Sequence, residues 1–87
     1  MASSQQHVEL ALELCSGADR TAVEQWLRGY GLDVLPLVSG LLATGDAEAA
    51  RAAFGAEPEG ELPVPRELRA YVRSVVAVPP MELHGGT

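Results

Sequence analysis

Lysine is absent from this chain. Its six cations are all arginine, set against twelve carboxylates, for a net charge of −6. A phosphate backbone is bound by a clustered basic surface, so nucleic acid is not the expected partner. The acidic balance favours solubility and a neutral or basic partner surface. Cysteine is nearly absent as well. Cys15 stands alone, which excludes an internal disulfide and argues against a disulfide-stapled scaffold. No apolar run approaches the roughly 20 residues that a membrane-spanning helix needs, so no membrane contact is expected. The opening MASSQQH has neither a basic nor an apolar signal-peptide region. The expected compartment is the cytoplasm, or the exterior if the chain is a fragment of a longer secreted precursor.

Sites for chemistry are equally sparse. His7 and His84 lie near opposite ends, and no surrounding pattern sets either against a nucleophile. Two histidines and one cysteine fall short of a structural zinc set, so no metal or cofactor is expected. Gly29 and Gly31 follow an expected helix rather than precede one, which is the wrong order for a phosphate-binding loop. Cys15 reads as a small buried or half-buried hydrophobe. An activated thiol needs neighbouring cations, and the nearest in sequence is Arg20. The chain is not expected to be an enzyme.

What is present is a pattern for one folded domain. Apolar residues make up 47% of 87 residues, too many for a disordered chain. Such a length buries roughly 60–65% of its unfolded surface. HVELALEL, residues 7–14, alternates with period two: Val8, Leu10, Leu12 and Leu14 on one face, His7, Glu9, Ala11 and Glu13 on the other. That is a strand.

Asp19 or Thr21 then caps a helix, Thr21 with Glu24 having the form of a capping box. Val23, Trp26, Leu27 and Tyr30 follow at i, i+3, i+4, i+7. Gly29 and Gly31 offer helix-ending positions. Residues 32–38 read as a strand whose Pro36 requires a sheet edge or a bulge. A tight turn at Ser39-Gly40 leads into a strand over 41–44. A second helix opens at Gly45-Asp46, with Asp46 as its cap, and carries Ala49, Ala50, Ala53 and Phe54 inward until Gly55 stops it. Residues 56–63 are acidic and proline-interrupted, a linker or a poor edge strand. Pro65 suits a first helical position, and Leu68, Val72 and Val75 recur at helical spacing. The order is βαββαβ, a ferredoxin-like α+β sandwich with a short C-terminal helix or extended tail. Pro36, Pro58 and Pro63 fall in its presumed edge strands. Residues 1–78 form the domain, and 79–87 an extended tail.

A family resemblance rests on an ordered set of segments. ADRTAVEQWLRGYGLDV, with Trp26-Leu27 and then Gly31-Leu32-Asp33-Val34, is followed by a glycine-bounded hairpin and by TGDAEAARAAFG from Gly45 to Phe54-Gly55. LPVPRELRAYVRSVVAV comes next. Over residues 18–78 the chain resembles the pro-domain of sedolisin/kumamolisin-type and subtilisin-like serine peptidases. It departs in the shorter stretch between the first strand and the first helix. The resemblance implies a ferredoxin-like propeptide that acts as inhibitor or folding chaperone of such an enzyme. The sheet face would pack on the enzyme and the C-terminal extension would lie along its cleft.

The expected function is therefore a freestanding, non-catalytic protein-binding module whose partner is a protein, with a serine peptidase implied by the resemblance. The alternatives are a ferredoxin-like structural or accessory subunit, including a homodimer, and an all-helical death-fold-like adaptor in which residues 5–15 are helical. Candidate partner-binding residues are Tyr30 at the helix end, the steering charges Glu57, Glu59 and Glu61, and the tail segment Val78, Pro79, Pro80, Met81, Glu82, Leu83 and His84, suited to strand addition in a cleft.

Overall fold

A computed structural model describes residues 7–78; the expected tail over 79–87 lies outside the described residues. The alternating segment forms strand β1, His7–Leu14. Its Leu10 and Leu12 are fully buried, with Val8 and Leu14 packed against the same core, while His7 and Glu13 are exposed. The all-helical alternative fails on this strand.

Helix α1, Arg20–Gly29, begins at Asp19, whose carboxylate accepts from the Ala22 amide at 3.3 Å. Asp19 is thus the cap, not Thr21. The helix ends in a six-residue closure. The Leu32 amide donates to the Leu27 carbonyl at 3.2 Å, and the Gly31 amide to that of Arg28 at 2.9 Å. Gly31 takes a φ of 87°, a backbone region that costs other L-residues steric strain. Leu27 and Leu32, brought together by this turn, are both buried. The reversal is therefore sealed by apolar contact as well as by hydrogen bonds.

Strands β2 (Asp33–Pro36) and β3 (Gly40–Asp46) follow. β2 is shorter than the expected 32–38 because Leu32 closes the helix and Leu37–Ser39 make the turn. Gly40 already belongs to β3. β3 runs directly into helix α2, Ala47–Phe54. Asp46 holds the N-cap backbone position, but its side chain makes no capping bond; it is also the last ladder residue of β3, opposite His7. Strand β4 is two residues long, Glu61–Leu62.

One expectation fails here. Leu68, Val72 and Val75 do not share a helix. Arg66–Leu68 form a single 3-10 turn with Pro65 before it, and Val72–Val78 are strand β5. The helical spacing of Val72 and Val75 arises from a β-bulge. Glu13 pairs with Ser74 and Leu14 with Val72, so Arg73 is an extra residue in the ladder. That insertion lets two valines three apart both face the core.

The sheet is antiparallel in the order β2-β3-β1-β5-β4. Setting aside the short β4, this is the βαββαβ arrangement, with β1 and β3 inside the sheet and β5 in the role of the last strand. Both helices cover one face. Val23 and Leu27 from α1, and Ala50, Ala53 and Phe54 from α2, share one core with Leu10, Leu12, Leu41, Ala43, Leu62, Val72 and Val75 of the sheet. Trp26 lies over Phe54 at a ring-centroid distance of 5.8 Å, tying the helices together.

Of the prolines among the described residues, Pro36 alone lies in a strand; Pro58 is in a loop and Pro63 follows β4. Leu37 donates its amide inward to Gly40, and ladder groups alternate in direction along a strand. The backbone of Pro36 therefore faces outward, where its missing N–H leaves no bond unmade.

Candidate functional site: the open sheet face

The period that buries Leu10 and Leu12 turns Glu9, Ala11 and Glu13 to the opposite face, where no described element covers the sheet. Pairing register assembles that face row by row. Leu35 lies opposite Leu42, Leu42 opposite Ala11, Ala11 opposite Val76, and Val76 opposite Glu61. An apolar row thus crosses four strands and ends on a carboxylate. The neighbouring row reads Asp33, Thr44, Glu9 and Val78. On the other side, Glu13 faces Gly40 and Ser74.

Leu35 is 57% exposed, Val76 42% and Val78 37%, with Leu42 and Ala11 half-buried between them. Contiguous apolar surface rimmed by polar groups marks interaction sites more often than scattered single residues do.

Carboxylates border the row on both sides. Glu13 accepts from the Ser74 hydroxyl at 3.3 Å and lies 3.6 Å from the Arg73 guanidinium. Arg73 is the arginine that the five strands carry. Glu9, Asp33 and Glu61 stand without a salt bridge among the described residues.

The edge of this face is held firmly. The Arg20 guanidinium donates to the Leu37 carbonyl at 3.2 Å and to the Gly40 carbonyl at 3.1 Å. The β2–β3 turn is therefore pinned to the start of α1. A Cβ at Gly40 would collide with the backbone carbonyl of Leu12, so the hairpin approaches β1 closely only because that residue is glycine. The pinned turn holds Leu37 and the fully exposed Val38 at its tip.

The residues singled out from sequence do not converge. Tyr30 is exposed but lies on the helix layer, its ring centroid 4.7 Å from that of Trp26. Glu57 is held by Arg51 of α2, both oxygens within 3.1 Å of Nε. Glu59 is exposed in the loop before β4. Glu61 and Val78 do reach the open face, whereas Pro79, Pro80, Met81, Glu82, Leu83 and His84 lie outside the described residues. Sequence reading missed Leu35, Leu42, Ala11, Val76, Glu9 and Asp33 as a group. Alternation in β1 marks Glu9 and Ala11 as outward, but only the register shows which residues stand beside them.

Cys15 is half-buried and free, its amide donating to the Tyr71 carbonyl at 2.8 Å. Among the described residues no polar or charged side chain is buried, and no trio of metal-capable side chains gathers. No described helix is long and apolar enough to cross a membrane.

Fold and face together define a small α+β domain with one sheet face covered by helices and one that no described element covers. Comparison with protein-family models, with curated proteins and with solved structures gave no match.

Proposed function

We propose that the domain is a non-catalytic protein-binding module that docks through its open sheet face. Following the resemblance in its sequence, we propose a subtilisin- or sedolisin-like peptidase as the partner, which the domain inhibits or helps to fold. The observation that supports docking is the row Leu35–Leu42–Ala11–Val76, presented to solvent at the centre of the sheet. A rigid apolar strip with a polar border is the anatomy of a specific protein interface.

Inhibition assays on a panel of subtilisin-like and sedolisin-like peptidases test the reading. Wild-type chain is expected to inhibit at least one enzyme. Leu42→Glu places a charge in the middle of the row and is expected to weaken inhibition by about tenfold or more. Removing residues 79–87 is expected to weaken it further if the tail lies in the cleft. Inhibition by the Leu42→Glu chain at full strength, or none by wild type across the panel, sinks the proposal.

A further inference from the structure

We infer that the surface received by the open sheet face is an apolar patch bordered by arginine or lysine, and not a second copy of this chain. The inference rests on the open face being the docking surface, and adds the chemistry of the partner. Three facts of placement support it. Asp33 and Glu9 flank the apolar row on one side, Glu13 on the other, and Glu61 stands at its end. Of these, Glu13 is already engaged by Arg73 and Ser74; the other three form no ion pair among the described residues. The chain as a whole carries twice as many carboxylates as cations, twelve against six.

A carboxylate beside an apolar strip loses hydration when a partner covers the strip. That loss is offset if the partner brings a cation to it and is uncompensated otherwise. Self-pairing compensates it least, because the arginine a second copy brings to this face, Arg73, is already engaged with Glu13. Laying one row over another adds a second set of Glu9, Asp33 and Glu61, none of them in an ion pair among the described residues, and no arginine beyond the one engaged with Glu13. The same charges speed approach of a cationic surface and give its binding a dependence on salt. The border therefore selects among apolar partners, repelling some as well as attracting others.

The experiment uses the full-length chain and a random dodecapeptide display library. Selected binders are expected to combine aliphatic residues with arginine or lysine. Synthetic copies of them are expected to lose affinity, on the order of tenfold, in the Glu9→Gln/Asp33→Asn/Glu61→Gln variant and at raised salt. They are expected to fail on Leu42→Glu, with Leu35→Glu as a second probe at a more exposed position. Circular dichroism and Trp26 fluorescence confirm that each variant is folded.

Neutral or acidic binders that fail on Leu42→Glu but ignore the triple variant and salt overturn the cationic partner while leaving the face as the docking site. Binders indifferent to both glutamate probes, or a library with no binder on this face, overturn the docking site itself. Sedimentation of the wild-type chain is expected to show no dimer that Leu42→Glu dissociates; such a dimer overturns the exclusion of a second copy.

Discussion

Gly40 shows how one residue sets the position of a whole hairpin. Its missing side chain lets β3 approach β1 at the Leu12 carbonyl, and the face depends on that closeness because Leu42 and Ala11 must lie side by side. A flexible side chain can rotate out of the way of a new methyl group, but a ladder carbonyl cannot. Gly40→Ala is therefore expected to destabilise the fold by about 1–3 kcal/mol, the usual cost of overpacking. Urea denaturation followed by Trp26 fluorescence measures it; an unchanged midpoint contradicts the collision. At Gly45 the atom a Cβ would meet is a side-chain methyl of Leu32, at 2.8 Å. That neighbour has more freedom to yield, so Gly45→Ala is expected to cost less than Gly40→Ala in the same assay. Neither glycine announces its role in sequence, since Ser39-Gly40 reads as a turn and Gly45-Asp46 as a helix start whether or not a Cβ would find room. The role exists only where two strands meet.

The first helix was legible nearly to its last residue. A cap, an apolar stripe and two glycines are local signals, and local signals survive without the rest of the molecule. Its C-terminal closure is the element on which the second strand depends, because Gly31 turns the chain and Leu32 anchors it. Gly31→Ala keeps the space open but forces a side-chain-bearing residue into a left-handed conformation, at a cost of about 1–2 kcal/mol. In a domain of this size a 1 kcal/mol loss lowers the melting temperature by roughly 4–8 °C, which differential scanning calorimetry resolves. At the edge strand, proline has a different consequence. Pro36→Val restores an outward amide proton to β2, whose outer edge is otherwise poor in donors. The variant is expected to self-associate at concentrations where the wild-type chain does not, as sedimentation velocity will show; a variant that remains monomeric contradicts the protected edge.

The last strand was misread, and the reason is instructive. Val72 and Val75 have helical spacing because a bulge at Arg73 lengthens β5 by one residue relative to β1. No window of the sequence contains that information, since the partner residues Glu13 and Leu14 lie nearly sixty positions earlier. β5 nevertheless completes the molecule, because β1 has β3 on one side and β5 on the other. Cutting the chain after Tyr71 strips β1 of that neighbour and removes the buried Val72 and Val75. The truncated chain is expected to lose the cooperative folded state, seen as collapse of amide shift dispersion. Retained dispersion contradicts the central place given to β5. The open face has the same long-range origin, its apolar row drawing one residue each from β2, β3, β1 and β5.

By itself the sequence determined what period and local punctuation can carry: an alternating first strand, a capped amphipathic helix, a proline-bearing edge, an alanine-rich second helix and an acidic surface. Tertiary structure decided the bulge, the identity of the last strand and the composition of the uncovered face. The physical reason is the reach of the interactions. Caps and side-chain periodicity act within a few residues, whereas a ladder register is an agreement between segments distant in the chain, and a surface exists only once that agreement is made.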